Sequence, residues 1–351
     1  PWRVHLPARI WIASLGALAA AFTYFGLRAA GLGSGAWFGA YLVGTCLLHL
    51  HLSTHERPWA PVASFTALAA WGAAAFVRDG RPRLLVFSGL AAALAYSSHQ
   101  AGLAALAVTG FGWLFAPWRE GPGRRVLLGF AAVASFAALS LLVGHPYLLV
   151  HGATEKADVI GAAALEGRRH ITIGGMPIVL EIKTATLAKL SRAILGYDPV
   201  LVLLGLIGLV PALIRRGTRP AAAFALLVGG FFLCGQSDHV RYLLPAALLL
   251  AWPAALAAEL AWSKPLGRPL LLALLAVPLV QATRLIWVLG QEDTRVTVRD
   301  QLERFRPGAR LAVDVAGPDL PLNQYALERL ATLRDLGKRE SLRLEAYAQG
   351  V

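Results

Sequence analysis

The most informative scarcity in this sequence is charge. Only 15% of the 351 residues are Asp, Glu, Lys or Arg, whereas 57% are hydrophobic, and the mean hydropathy is +0.58. Soluble domains carry charge on about a quarter of their residues, so the composition excludes an ordinary soluble globular protein. Apolar runs of about 20 residues recur along the chain and indicate a polytopic membrane protein.

Cysteine and methionine are also scarce. The two cysteines, Cys46 and Cys234, both lie inside apolar runs. This spacing excludes a disulfide framework and a cysteine zinc site and indicates small buried core residues. The chain begins with Pro1 rather than methionine and shows no cleavable signal sequence. We therefore expect an N-terminal piece to precede it.

What the sequence does contain is a series of apolar segments separated by short polar loops. Their lengths predict an all-α polytopic membrane fold with about ten transmembrane helices. The predicted spans are residues 9–30, 34–50, 60–77, 84–97, 101–117, 125–145, 199–214, 220–234, 242–260 and 269–289.

The basic residues alternate between the two sides of these spans. Four loops on one side, "RDGRPR", "PWREGPGRR", "RRGTR" and "SKPLGR", carry eleven Lys or Arg, whereas three short loops on the other side carry only Arg57 and Arg241. Cytoplasmic loops are enriched in Lys and Arg, so the basic loops are predicted to face the cytoplasm. The net charge of +13 then reflects topology and contact with anionic lipids rather than a nucleic-acid surface.

This orientation defines the predicted domains. Residues 1–290 form the transmembrane domain, which includes an extracytoplasmic loop over 146–197, and residues 291–351 form a small extracytoplasmic α/β segment that could continue beyond Val351. The loop contains "GRRHITIGG", and we expect a mobile flap there, with backbone amides around Gly174 and Gly175 available to an anion. A plain surface loop is the competing interpretation.

Polar residues at the extracytoplasmic ends of the spans form the one candidate site. Ionisable groups near a membrane are costly unless they are paired, hydrated or functional, and the alternating spans bring these groups to one side. The candidates are Glu56 as the catalytic residue and Arg241, Tyr242, His55, His99, His145 and His170 as substrate-binding residues.

Each candidate also has a simpler interpretation. Glu56, followed by Arg57 and Pro58, could begin the next helix, where an acid complements the helix dipole. His51 and His55 could be interfacial histidines, or could bind a metal together with Glu56. His99 could have a hydrogen-bonded structural role. Arg241 could pair with Asp238.

The order of these segments resembles the GT-C superfamily of polyprenyl-phosphate-sugar-dependent glycosyltransferases, in particular glycosyltransferase family 39. This family includes the protein O-mannosyltransferases and the aminoarabinose transferases of lipid A. The resemblance extends over nearly the whole chain. It is carried by "LLHLHLSTHERPWAPVASFTALAA", "RPRLLVFSGLAAALAYSSHQAGLAALA", "GHPYLLV" followed by "LGYDPVLVLLGLIGLVPALIRR", "DHVRYLLPAALLLAWPAALA" and "QEDTRVTVRDQLERFRPGARLAVDV".

The resemblance implies transfer of a sugar from a polyprenyl-phosphate donor to a hydroxyl of a lipid, glycan or protein. It implies a multi-pass protein of a bacterial-type inner membrane, with its site in the cell envelope outside the cytoplasm. Glu56 would be a second acid that orients a substrate, since the family's principal acid would lie upstream of Pro1. Arg241 and Tyr242 would lie on the phosphate side. One departure is "YSSHQAG", where Ser98 and His99 replace a lysine and an aromatic residue of many relatives.

No cofactor is expected, and a divalent metal is possible although the sequence does not indicate one. The competing interpretation of the chain is a transporter or flippase of a lipid-linked or small anionic substrate, for which inverted repeats and broken mid-span helices are expected. A structural membrane subunit is a third interpretation.

Overall fold

A computed structural model describes residues 2–54, 57–117, 121–144, 170–173, 176–179, 184–236 and 239–291. The chain divides into two compact units, Pro1–Leu285 and Ile286–Val351. The predicted C-terminal α/β segment and most of the predicted loop over 146–197 lie outside the described residues.

The described part of the chain is largely helical. Short 3-10 helices lie at Gln100–Ala104 and Val240–Leu243, and π-helical turns lie at Ser140–Gly144 and Phe232–Gln236. The α-helices are α1 (Trp2–Ala29), α2 (Gly35–Thr45), α3 (Leu47–Ser53), α4 (Trp59–Asp79), α5 (Pro82–Ser98), α6 (Ala105–Phe115), α7 (Pro122–Leu139), α8 (Thr184–Tyr197), α9 (Pro199–Ile214), α10 (Arg219–Phe231), α11 (Leu244–Trp262) and α12 (Gly267–Leu289).

Every predicted span coincides with helical structure, and the predicted all-α polytopic class is confirmed. Five helices among the described residues are long and apolar enough to cross a membrane, or up to seven if each bent helix pair is one span. The helices at Gln100–Phe115 and Arg219–Cys234 are apolar but shorter. The helices as a whole begin and end close to the predicted positions, because basic, Gly-rich and Pro-rich loops interrupt the apolar runs.

The prediction of one continuous helix over 34–50 is wrong in detail. The chain bends by 54° between α2 and α3, and Cys46 at the bend has an extended backbone with φ −60° and ψ 114°. A second bend of 108° separates α8 from α9. Helix α8 itself was not predicted, because the sequence before Tyr197 is too polar for a span and was assigned to the loop.

Helices α4 and α11 form the centre of the bundle, because 83% of the most apolar stretch of each is buried. Alanine and glycine make close approach of the helices possible, as is common where helices associate in membranes. A side chain at Gly208 of α9 would collide with the carbonyl of Pro253 in α11. In contrast, only 17% and 22% of the corresponding stretches of α7 and α12 are buried. The apolar side chains of these two helices therefore face outward, as expected for a lipid-facing surface.

The end of the bundle at which α9 finishes is held together by a carboxylate. Glu259 of α11 accepts hydrogen bonds from the backbone N–H groups of Gly33 (2.8 Å), in the α1–α2 connection, and of Gly35 (2.7 Å), the first residue of α2. Arg215 lies 3.8 Å from the same carboxylate and also donates to the Gly31 carbonyl. Gly31 has a φ of 85°, which favours glycine. We call this arrangement the Glu259 clamp.

Candidate functional site

A cavity of about 520 Å³ lies at the opposite end of the bundle, where α9 begins. Three basic side chains line it from different parts of the chain: Arg57 before α4, Lys189 of α8 and Arg241 before α11. The other lining residues are Leu48, His51, Leu52, Leu190, Ala193, Tyr197, His239 and Val240. We call this the cationic cavity. Within the described ranges its lining contains no carboxylate.

The three basic side chains are not neutralised by the described part of the chain. The ion pairs found there are Arg78–Asp79 and Arg215–Glu259, and neither involves the cavity. Arg57 and Lys189 are exposed, whereas Arg241 is half-buried, and its Nε is buried without a hydrogen-bond partner in the described ranges. Three positive charges in one concave site favour an anion, because like charges repel until a counter-charge binds.

Arg241 is held against aromatic rings. Its guanidinium carbon lies 5.6 Å from the ring centre of Trp59 and 5.8 Å from that of Tyr242, within the range of a cation–π contact. The Trp59 and Tyr242 rings meet edge to face at 4.7 Å, and Tyr242 stacks on Phe232 at 5.9 Å. Since Trp59 is only 3% exposed, this packing fixes where the guanidinium can point.

His99 packs beside the rings of Trp59 and Tyr242; we call these three residues and Phe232 the aromatic group. His99 also has its own structural role. Its ring lies 4.6 Å from that of Trp59, and its Nδ1 accepts a hydrogen bond from the backbone N–H of Ala101 at 3.0 Å. This bond requires an unprotonated Nδ1, so a neutral ring carries its proton on Nε2. Burial and then the charge of Arg241 lower the pKa of His99. The neutral Nε2–H tautomer is therefore the stable form, and it is a hydrogen-bond donor.

Two walls of the cationic cavity meet at Asp198. This residue is 4% exposed and lies between α8 and α9. Its carboxylate accepts hydrogen bonds from the N–H groups of Leu47 (2.8 Å) and Leu48 (3.4 Å) and from the thiol of Cys46 (3.2 Å). Asp198 therefore caps α3, a helix about 150 residues away in the sequence, while it makes no side-chain cap for α9.

An apolar groove of about 220 Å³ adjoins the same elements. It is bordered by Ile194 of α8 and Leu243 before α11. Ala193, next to Ile194, and Arg241, two residues before Leu243, line the cationic cavity. Leu190, Phe232 and Leu243 pack together at this position. The groove is further lined by Val202, Leu206, Leu209, Ala225, Leu226, Gly229, Gly230, Leu233, Ala246, Ala247 and Leu250. Such a lining suits a hydrocarbon chain.

A β-hairpin is present within the predicted flap. Strands β1 (His170–Ile173) and β2 (Met176–Val179) pair antiparallel, with His170 opposite Val179. Strand β2 contacts the π-helical turn Phe232–Gln236, which places the hairpin backbone beside the aromatic group. The proposed anion nest at Gly174 and Gly175 lies outside the described residues, and the flap stays a prediction.

The structure brings together three of the predicted site residues, Arg241, Tyr242 and His99. His170 is described only as the first residue of β1. Glu56, His55, His145 and Asp238 lie outside the described residues, so their roles stay predictions. No grouping of three or more His, Cys, Asp or Glu able to hold a metal occurs among the residues that were described.

The sequence interpretation missed Trp59, Lys189 and Asp198. Trp59 directly follows "STHERP", and its position beside the candidate acid was a usable signal. Lys189 belongs to the unpredicted helix α8. Asp198 precedes a proline in "GYDPV", a pattern that signals a helix start but not a distant partner.

No protein-family profile matches the chain, and no curated protein matches it significantly. Among solved structures, the chain is similar to the oligosaccharyltransferase of Archaeoglobus fulgidus in its apo form, with a TM-score of 0.41 and 16% sequence identity. The similarity covers 97% of this chain and 48% of that protein. The chain thus spans about half the length of the protein that it matches.

Proposed function

We propose that this protein is an integral membrane glycosyltransferase that moves a sugar from a polyprenyl-phosphate donor to an acceptor hydroxyl on the extracytoplasmic side of the membrane. The observation that carries the proposal is the cationic cavity beside the apolar groove. A polyprenyl phosphate has an anionic head and a hydrocarbon tail, and the two sites match these parts separately. The resemblance to glycosyltransferase family 39 points to the same donor class.

In this proposal the basic side chains stabilise the leaving group. The bond between the anomeric carbon and the phosphate oxygen breaks, the electron pair stays on the polyprenyl phosphate, and the acceptor oxygen forms the new bond to carbon. Arg241 is the principal phosphate ligand, because a guanidinium donates several hydrogen bonds in a fixed plane. Arg57 and Lys189 add positive charge at the exposed mouth.

The remaining candidates take supporting roles. Glu56 orients the acceptor hydroxyl or the donor sugar, and the acceptor proton passes to a carboxylate within hydrogen-bond reach. His99 offers its Nε2–H to a donor oxygen, and Tyr242 holds Arg241 in place. His55, His145 and His170 are proposed as further substrate contacts.

The phosphate role of Arg241 is tested by Arg241→Gln in the complete protein. Loss of a charge-assisted hydrogen bond of about 1.5–3 kcal/mol lowers donor affinity by about 10- to 150-fold, measured as binding of a radiolabelled polyprenyl-phosphate sugar in detergent micelles. Arg216→Gln is the matched control, because Arg216 is an exposed arginine at the Glu259 end. Equal donor affinity in the two variants would exclude Arg241 as the phosphate ligand.

The proposed sidedness is tested by thiol labelling in intact cells. Thr54→Cys, next to the cationic cavity, is expected to react with an impermeant maleimide, whereas Leu266→Cys, in the basic loop before α12, is expected to react only after permeabilisation. Thr54 and Leu266 are both exposed. The opposite labelling pattern would place the cavity in the cytoplasm and remove the extracytoplasmic assignment.

One observation favours the competing transporter function. The bends at Cys46 and Asp198 are the broken helices expected of a transporter, and they lie beside an anion-attracting cavity. The two functions differ in their product, because a transferase releases free polyprenyl phosphate and a glycosylated acceptor. Movement of the intact donor across reconstituted vesicles, without release of polyprenyl phosphate, would favour the transporter.

A further inference from the structure

The two helix breaks of the bundle are joined through one carboxylate. Asp198 occupies the bend between α8 and α9, and its three hydrogen-bonding partners, Cys46, Leu47 and Leu48, occupy the bend between α2 and α3. Neither bend is closed by a polar side chain of its own segment, since no side-chain cap forms at either N-terminus. The angle of each helix pair therefore depends on the other.

Each of these helix pairs contributes a different wall of the cationic cavity. Helix α3 contributes His51, and it ends at Ser53, three residues before Glu56. Its seven residues correspond to a rise of about 10 Å, so its start at Leu47 fixes where the "STHERP" segment begins. Helix α8 contributes Lys189 and, next to Asp198 itself, Tyr197.

Asp198 does not itself line the cavity. Both of its carboxylate oxygens accept hydrogen bonds from the α3 start, and the residue is 4% exposed. A buried carboxylate whose oxygens are used in this way cannot also contact a substrate in the cavity. Its chemistry is that of an anchor: it compensates the unpaired N–H groups and the positive dipole end of α3.

We propose that Asp198 is a positioning residue for transfer, which sets the distance between the α3 wall and the α8 wall of the cationic cavity. This inference rests on the proposed function. Displacing reacting groups by about 1 Å can lower a rate by about 100-fold even from a remote site. The anchor thus connects a residue without substrate contact to the geometry in which Arg57, Lys189 and Arg241 meet the donor.

The test uses Asp198→Asn in the complete protein. The variant is isosteric, but its amide NH₂ group is a donor and must face either the Leu47 N–H or the donors of Cys46 and Leu48, so one side of the anchor is lost in either orientation of the amide. We expect turnover at saturating donor to fall by about 10- to 100-fold per folded molecule. We also expect Cys46, which is 1% exposed, to become reactive toward a membrane-permeant maleimide in a Cys234→Ser background.

A second variant reaches the anchor from its partner and avoids a change at the buried acid. Leu47→Pro removes the N–H that donates to Asp198, at the first position of α3, where proline is tolerated. The extended backbone of Cys46 is compatible with a following proline. We expect a fall in turnover and a gain in Cys46 reactivity, both smaller than in Asp198→Asn. If Asp198→Asn fails to fold, Leu47→Pro decides the proposal.

Glu259→Gln is the matched control, because Glu259 also accepts two backbone N–H bonds from a distant helix connection. This variant should leave turnover per folded molecule and Cys46 reactivity at wild-type values. Wild-type turnover and unreactive Cys46 in the Asp198 and Leu47 variants would overturn the proposal, and so would lower thermal stability without any change in these two measurements.

Binding of sugar-free polyprenyl phosphate separates this proposal from the proposed function. If the wild-type protein neither transfers sugar nor binds polyprenyl phosphate, the proposed function fails and the positioning of transfer fails with it. If the wild-type protein binds and transfers, and only the anchor variants behave like the control, the positioning proposal alone is overturned.

Discussion

The two ends of this helix bundle use charge in opposite ways. At the Glu259 clamp, a carboxylate is satisfied by two backbone N–H groups and lies 3.8 Å from Arg215. In the cationic cavity, Arg57, Lys189 and Arg241 line a space of about 520 Å³ without a carboxylate partner in the described ranges. A satisfied charge stabilises the fold, whereas charges that have no counter-charge in the described part of the chain are candidates for binding a ligand.

The two ends also have one structural feature in common. Asp198 and Glu259 are both acids that accept backbone N–H bonds from a distant helix connection. The difference lies in what surrounds them, since Asp198 borders the walls of a cavity and Glu259 borders a closed loop. Variants at the two ends should therefore separate effects on transfer from effects on stability.

The largest expected difference concerns Glu56. If Glu56 orients a hydroxyl or a sugar, Glu56→Gln should remove about 2–4 kcal/mol of transition-state stabilisation, which is about 30- to 1000-fold in rate. The measurement is transfer from a polyprenyl-phosphate sugar by the complete protein. If Glu56 only begins a helix, the change is a few tenths of a kcal/mol in stability, and near-normal transfer would identify it as a helix-start residue.

The next effect belongs to the Glu259 clamp. Glu259→Ala leaves the N–H of the buried Gly35 without its acceptor and removes the exposed bond from Gly33, which should lower the free energy of unfolding by about 1–3 kcal/mol, mostly through Gly35. Thermal unfolding in detergent measures this loss. Transfer per folded molecule should stay at the wild-type value, and a large fall in that rate would show that the clamp end contributes to the site.

A smaller effect is expected from acid at the cavity end. Burial and the charge of Arg241 lower the pKa of His99 below its ordinary value of 6.5. As the pH decreases below 6.5, His99 is protonated in the unfolded chain at a higher pH than in the folded protein. The free energy of unfolding therefore decreases as the pH decreases, until the pKa of His99 in the folded protein is reached. The stability contributed by the neutral ring is fully present above pH 6.5.

The measurement for His99 is unfolding as a function of pH. His99→Gln should remove the part of the acid dependence that is due to this ring and should cost about 0.5–1.5 kcal/mol at neutral pH, because the bond from Ala101 is lost. An acid dependence identical to that of the wild type would assign the titration to another group.

The smallest effect is expected where a surface pair already satisfies its charge. Arg78 and Asp79 pair at 2.6 Å with side chains 51% and 27% exposed. Exposed pairs contribute about 0–1 kcal/mol, so Arg78→Gln should change the unfolding temperature little and transfer not at all. A loss as large as that of Glu259→Ala would contradict the view that the bonds from the Gly33 and Gly35 N–H groups, rather than an ion pair, make Glu259 important for stability.

The positions of the helices could be predicted because each apolar run ends in a polar, basic or Pro-Gly segment. The sequence also predicted that Arg241, Tyr242 and His99 would lie on the same side of the membrane, but not that their side chains would be in contact. What unites these residues is the alternation of spans, which returns the chain to the same end of the bundle after each pair of helices.

The bends could not be predicted in the same way. The segment "VGTCLLH" contains no proline that would break a helix at Cys46. The bend is stabilised instead by Asp198, from a remote part of the chain. Trp59 and Lys189 were missed because their importance comes from neighbours in space. Local sequence therefore predicts where helices lie, and long-range polar contacts decide how they bend.

The bond between Asp198 and the start of α3 also has a consequence for biosynthesis. Cys46 and Asp198 are 152 residues apart, and ribosomes add about 5–20 residues per second. The amides of Leu47 and Leu48 are therefore synthesised about 8 to 30 seconds before their acceptor. During that interval Asp198 is not available as the acceptor for the backbone donors at the start of α3. A helix that continues straight through residue 46 would satisfy them, so the early membrane intermediate is expected to be straighter than the finished protein and to bend when Asp198 arrives.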